Sequence, residues 1–260
     1  MRYCRFSTAN GPRYGLIQSI NGFEQITQTA KDGPLPVFER SDESSPVPLS
    51  SVSLLAPARP SKILCVGRNY ADHAKELGNE VPAEPLLFFK PPSALIPHGD
   101  TIVLPGNLSQ RVEYEGELTV VIGRTCRNLS PQDDIRRYIF GYTCANDVTA
   151  RDLQKKDGQW WRAKGFDTFC PVGPIVTDEI DPWAGVQVET RVNGVIKQSA
   201  NTRIFIFSLD HVIRYIAQVM TLLPGDLVLT GTPAGVGPLA SGDQVEVKVD
   251  GVGSLKNSVR

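Results

Sequence analysis

Cysteine is sparse and unpatterned in this chain of 260 residues: Cys4, Cys65, Cys126, Cys144 and Cys170, with no C-x-x-C spacing. An odd set without paired spacing argues against a disulfide framework and reads as buried thiols in a reducing cytoplasm. Long apolar runs are also missing. No stretch approaches 18 apolar residues, so no membrane-spanning helix is expected, and the N-terminus lacks the apolar core of a signal peptide. Charge of one sign is not in excess either, with 27 basic against 28 acidic residues, a net of −1. That balance leaves no electrostatic footprint for nucleic acid or an anionic membrane. Internal repeats and low-complexity tracts are absent. What remains is a soluble chain, 41% hydrophobic, between one large domain and two small ones.

The organisation changes near residue 60. Arg2–Phe6 and residues 14–20 read as strands, separated by Asn10-Gly11-Pro12 and followed by Asn21-Gly22. Residues 42–60 are rich in Ser and Pro and read as a linker. Beyond it, residues 63–66 form a buried strand, and residues 71–77 have helical spacing that stops at Gly78. Ser130-Pro131 suggests a capped start for a short helix over 131–138. Apolar residues at Leu209, Val212, Ile213, Ile216, Val219 and Met220 predict an amphipathic helix over 208–222. Strands are expected at 186–192, 227–230 and Gln244–Val249, with hairpin turns at Asn193-Gly194 and Asp250-Gly251. The class is mainly β with a few helices (α+β).

Three carboxylates carry the first chemical signal. Glu115 and Glu117 open the apolar, β-branched run 118–122, where residues two apart share a face. Asp147 follows thirty residues later, in Asn146-Asp147-Val148-Thr149-Ala150-Arg151. A lone Glu-x-Glu more often faces solvent. Two carboxylates forced onto one face repel unless a cation or proton intervenes. Oxygen-only ligation suits Mg²⁺ or Mn²⁺, and three monodentate carboxylates leave about three of six octahedral positions open.

His73 and Glu76 carry the second. Three apart on a helix, they face the same way, and a carboxylate behind an imidazole raises its basicity. His98 and His211 lack such a context and read as structural or solvated. Lys164 offsets the negative charge and can steady an enolate, and Arg151 suits a clamp on a carboxylate. Trp160 and Trp161 read as core or lid packing. The Gly231-to-Gly237 segment is not a phosphate loop, since its spacing differs and a turn, not a helix, follows.

These words occur in one order with Gly67-Arg68-Asn69-Tyr70-Ala71-Asp72-His73, Phe88-Phe89-Lys90-Pro91 and Lys164-Gly165-Phe166-Asp167-Thr168-Phe169. Together they resemble the fumarylacetoacetate hydrolase family, from about residue 60 to about residue 248. The resemblance implies a β-roll catalytic core over 61–260 behind a small β-rich unit over 1–60. It implies one Mg²⁺ or Mn²⁺ per subunit on Glu115, Glu117 and Asp147. His73 and Glu76, on a mobile lid, and Lys164 become the expected catalytic residues. Arg68, Tyr70, Lys90, Arg151, Gln154 and Thr232 become expected substrate contacts, and a cytoplasmic homodimer joined through the β core is implied.

The expected substrate is a small 2-oxo acid that chelates the ion, which stabilises the enolate left when a C–C bond breaks. Water delivered by His73–Glu76 then gives acylpyruvate hydrolysis, and a C4 carboxylate gives oxaloacetate decarboxylation. If only a proton moves, the site is an oxaloacetate tautomerase or an isomerase of unsaturated dicarboxylates of the 2-hydroxyhepta-2,4-diene-1,7-dioate type. The Gly67-to-His73 word favours the first pair; Gly116 and Phe166-Asp167-Thr168-Phe169-Cys170-Pro171 are shared more with isomerases and tautomerases. A metal-binding pseudoenzyme is the reading from another class, and the intact set of His73, Glu76, Lys164 and three carboxylates argues against it.

Overall fold

Gly116–Ile122 is buried on both faces throughout its seven residues, which is why it reads as a continuous apolar run instead of an alternating one. In the computed structural model, which describes residues 1–39 and 43–260, this strand lies within a 12-stranded sheet. On one side follow Ile139–Asn146, Cys170–Thr177 and the N-terminal strands Arg2–Phe6, Arg13–Ile20, Phe23–Lys31 and Glu43–Pro48. On the other follow Leu227–Leu229, Ile63–Gly67 and the edge strand Leu86–Lys90. A five-stranded sheet covers one face, in the order Val195–Asn201, Gln187–Val192, Gln244–Val249, Gly253–Val259 and Thr101–Ile102. The architecture is mostly β, with four helices among the described residues.

Side-chain alternation along Gly116–Ile122 feeds two cores. Leu118, Val120 and Ile122 meet Val188, Val247, Val249 and Leu255 from the covering sheet. Val121 points the other way and joins Ile63, Cys65, Leu227 and Leu229. Gly116 leaves no room for a side chain between the sheets: a Cβ there would clash with Thr190 Oγ1 and press Val247.

The helices are α1 (Ala71–Glu76), α2 (Arg151–Lys156), α3 (Trp161–Lys164) and α4 (Leu209–Val219). Helix α4 starts where Ser208 Oγ accepts from His211 N at 3.3 Å and buries Leu209, Val212, Ile213 and Ile216. It stops at Val219, short of the expected end. Helix α1 ends as expected, with Gly78 at φ +70° past its last turn. The Asn193-Gly194 turn has positive φ at both residues, as a type I′ hairpin requires, and Asn21-Gly22 shares that geometry. At Asp250-Gly251 only Gly251 has positive φ, and Val252 joins the turn between paired Val249 and Gly253.

Two expectations fail. Residues 42–60 are not a linker: Glu43–Pro48 pairs with Phe23–Lys31, and Leu54–Leu55 pairs with Arg2–Phe6 (Asp42 lies outside the described residues). Pro46 and Pro48 are tolerated because the strand is the outermost of its sheet, where a missing N–H breaks no ladder. Nor is there an α-helix over 131–138. Asp133 accepts from Ser130 N at 2.6 Å, and Arg214 engages the carbonyls of Ser130 and Asp133. Those bonds, one local and two from a distant helix, take the place of the helical ladder, and only a 3₁₀ turn over Ile135–Tyr138 survives, capped by Asp134. All five cysteines are buried and free.

The close sheet approach gives a direct test. Gly116→Ala inserts a methyl between two packed sheets and is expected to cost about 1–3 kcal/mol of stability. Denaturant melts of the wild type and variant measure it. An unchanged midpoint would contradict the packing described.

Candidate active site

Strand direction gathers the functional residues. Gly116–Ile122 runs antiparallel to Ile139–Asn146 and to Leu227–Leu229, and the last pairs parallel with Ile63–Gly67. Its start therefore lies beside the ends of three neighbours. Glu115 and Glu117 come from that start, Asp147 from the residue after Asn146, Thr232 from beyond Leu229, and Arg68 from beyond Gly67. Glu115 falls at the break between Val112–Tyr114 and Gly116–Ile122, so the two glutamates straddle a strand junction rather than sharing one strand. The break is held by Asn146 Oδ1, which accepts from Glu115 N at 2.9 Å, and by Asp147 N, which donates to Glu115 O at 2.8 Å.

One oxygen from each of Glu115, Glu117 and Asp147 lies within 4.8 Å of the others, and all three residues are buried. Lys164 Nζ bridges Glu115 Oε2 at 2.8 Å and Asp147 Oδ2 at 2.7 Å. Behind Asp147, Lys90 Nζ donates to Oδ1 at 2.6 Å and to Val148 O at 3.0 Å. Arg151 binds Glu113 Oε2 through Nε at 2.6 Å, Glu115 Oε1 through one terminal nitrogen, and Gln154 Oε1 through the other at 2.6 Å. Glu117 has a different partner: its Oε2 accepts from Gly231 N at 2.6 Å.

Four buried carboxylates (Glu113, Glu115, Glu117 and Asp147) thus face three buried cations (Lys90, Arg151 and Lys164). Burial would raise the Glu115 carboxyl, but Lys164 and Arg151 overcome it and hold the group well below the usual carboxylate range. Glu117 goes the other way. Burial, then Asp147 and Glu115, push its proton affinity well above normal. Arg111 Nε adds an exposed partner to Glu113 at 2.6 Å, and the Glu115, Glu117 and Asp147 set, all oxygen, fits a hard divalent cation. Glu115, Glu117 and Asp147 are the residues that can hold it.

These carboxylates line a cavity of about 210 Å³ together with Arg68, His73, Arg151, Gln154, Lys164 and Thr232. His73 enters from α1 and is buried; burial, with Arg151, lowers its proton affinity despite Glu115 and Glu76. Its Nδ1 lies 3.5 Å from Glu76 without hydrogen-bond geometry, and the Glu76 carboxylate instead accepts from Gly235 N at 3.1 Å. Thr232 spends its hydroxyl proton on Gly116 O at 2.9 Å and accepts from Gln198 Nε2 at 2.7 Å. The Thr230–Gly237 loop runs into a strand at Gly237–Pro238, with no helix behind it.

Two expected substrate contacts lie elsewhere. Tyr70 is buried with its ring 5.0 Å from Phe205 and does not line the cavity. Lys90 does not line it either and serves Asp147 from behind. Trp160, read as packing, does line it, and it stacks edge-on against Phe88 at 5.2 Å. His98 Nδ1 accepts from Lys256 N at 3.1 Å, a structural role. Glu113 was missed, although Glu113, Glu115 and Glu117 alternate in sequence. Gln198 was also missed; it accepts from Gly116 N at 3.0 Å and ties it to the Thr232 loop. Nothing in its sequence neighbourhood signals that role.

A mostly β fold with a buried carboxylate triad at its strand ends defines a class, and comparison with known proteins gives it a family. The C-terminal model of fumarylacetoacetate (FAA) hydrolase matches residues 62–260, and the Rv2993c-like N-terminal model matches residues 1–57. The chain belongs to the fumarylacetoacetate hydrolase family of enzymes. It is 42% identical to oxaloacetate tautomerase YisK of Bacillus subtilis, over 81% of this chain and 74% of that protein. The structure of 2-hydroxyhepta-2,4-diene-1,7-dioate isomerase from Mycobacterium marinum superposes with TM-score 0.88 at 42% identity, covering 100% of this chain and 98% of that one. Fumarylpyruvate hydrolase from Pseudomonas aeruginosa, in complex with Mn²⁺ and pyruvate, gives TM-score 0.72 at 32% identity over 78% and 90%. Among the described residues no helix is long and apolar enough to cross a membrane.

The unneutralised Glu117 makes a pH-dependent prediction. A carboxyl whose folded proton affinity is raised contributes stability fully below its unfolded pKa and loses it as pH rises through the folded one. Metal-free wild type should therefore lose melting temperature relative to Glu117→Gln as pH rises above 4.5, the group's ordinary value. Millimolar Mn²⁺ should reverse that order, because only the wild type keeps all three ligands. Parallel melts across pH without Mn²⁺ sink the assignment of Glu117 as the uncompensated charge.

Proposed function

We propose that this chain is a Mg²⁺- or Mn²⁺-dependent enzyme that interconverts the keto and enol forms of a small 2-oxo dicarboxylic acid such as oxaloacetate. The observation that carries this reading is the single cavity shared by the carboxylate triad, Lys164 and His73. A divalent ion there supplies positive charge beside the substrate's carboxylate and 2-oxygen. The residues do the rest. Lys164 places a fixed ammonium next to the charge that develops on the 2-oxygen when C3 loses a proton. His73, kept neutral by burial, is the group suited to take that proton. The proton returns to the 2-oxygen, so one proton moves and no carbon–carbon bond breaks. Glu76, held by Gly235 N, fixes α1 over the cavity and keeps His73 in place.

The names of the similar proteins support this order. A tautomerase and an isomerase align at 42% identity, against 32% and 37% for two hydrolases. Carbon–carbon cleavage, expected first from the sequence, is the second reading. It is favoured by the hydrolase neighbour described with Mn²⁺ and pyruvate. In that reaction His73 activates water instead of moving a substrate proton.

Ketonisation of enol-oxaloacetate, followed by ultraviolet absorbance with saturating Mn²⁺, tests the proposal. His73→Ala should slow it by about 10²- to 10⁴-fold, and Lys164→Met should slow it as well. Pyruvate is assayed in the same samples. No acceleration over buffer with Mn²⁺ contradicts the reading, and pyruvate forming as fast as the enol disappears puts cleavage first.

A further inference from the structure

The cavity holds two cations that the carboxylate cluster does not use. Arg151 and Lys164 are both engaged by buried carboxylates. Arg68 and Lys155 line the same cavity, yet neither side chain has an ion pair or hydrogen-bond partner among the described residues. The carboxylates lining that cavity are Glu115, Glu117 and Asp147, the metal-site triad. Cations left unpaired in a ligand cavity are free to meet an anion that arrives with the ligand.

Arg68 is fixed by its surroundings, whereas Lys155 is an exposed residue that lines the cavity from α2. Arg68 is partly buried and held at φ +57°, a left-handed conformation strained for a side chain larger than glycine. Its neighbour Asn69 pins that conformation: Nδ2 donates to Thr230 O at 2.8 Å and Phe207 O at 3.2 Å, and Oδ1 accepts from Phe207 N at 2.8 Å. Lys155 follows Gln154 on α2, and the two share a helix face with Arg151. The Gln154 oxygen is taken by Arg151, which leaves its amide nitrogen free as a further donor into the cavity.

We propose that Arg68 and Lys155 form an anion subsite that receives the second carboxylate of a dicarboxylic substrate, with Lys155 as a specificity-determining residue. The inference rests on the reading above that the triad end receives the 2-oxo acid head group. A 2-oxo monocarboxylate fills the head-group end and leaves both cations unmet. A 2-oxo dicarboxylate satisfies them.

Calorimetry on the Mn²⁺-loaded protein tests this with two probes, pyruvate and 2-oxoglutarate, in the wild type, Arg68→Met, Lys155→Met and Lys155→Arg. The wild type should bind 2-oxoglutarate at least about tenfold more tightly than pyruvate. Each methionine variant should lose about tenfold for 2-oxoglutarate while pyruvate stays within about twofold, and Lys155→Arg should retain the preference. The proposal is overturned if the wild type shows no preference, if both methionine variants keep it, or if pyruvate weakens equally. Failure of the keto–enol reaction would show separately, in wild-type turnover, because the binding readout needs none.

Discussion

Four carboxylates enclosed with three cations set the terms for the rest of the structure. Removing charges from water costs several kcal/mol per ion, and breaking a buried pair costs about 3–5 kcal/mol. A fold seeking stability alone would fill this space with apolar side chains. The arrangement instead leaves Glu117 without a direct cationic partner, so that burial, Asp147 and Glu115 raise its proton affinity while Lys90, Arg151 and Lys164 bind the other carboxylates. A divalent cation is the partner this donor set fits.

The sheet exists, in functional terms, to hold that imbalance rigid. Each carboxylate of the triad sits at or beside the terminus of a strand whose body lies in a packed core. Lys90 and Lys164 take the two oxygens of Asp147, and Arg151 locks Glu113 and Glu115 together. Gly231 N fixes Glu117 from the far side. Against this rigid floor, α1 brings His73 in as a neutral imidazole, anchored through Glu76 to the Gly235 backbone. The covering five-stranded sheet closes the back through Gly116 and Gln198.

Much of this was legible in the residues. Glu115, Glu117 and Asp147 stood out because three acids among apolar strands demand a cation, and the structure brings them together. Strands and hairpins followed from alternation and from Asn-Gly turns, which are local signals. The failures share one cause, since contacts distant in sequence decided them. Arg214 lies more than eighty positions from Ser130 and unravels the expected helix there. Ser- and Pro-rich residues after 42 form an edge strand because Phe23–Lys31 offers them a partner. Lys90 and Tyr70 have residue types suited to substrate, but type does not show on which side of Asp147 or α1 they lie. Glu113 was readable from its alternation with Glu115 and Glu117.

The central claim is that the carboxylate triad is a cation site, and diffraction from Mn²⁺-soaked crystals at the manganese absorption edge tests it most directly. The account predicts one anomalous peak per chain, within bonding distance of oxygens from Glu115, Glu117 and Asp147. No peak there, with Lys164 still bridging Glu115 and Asp147 at saturating Mn²⁺, would contradict it.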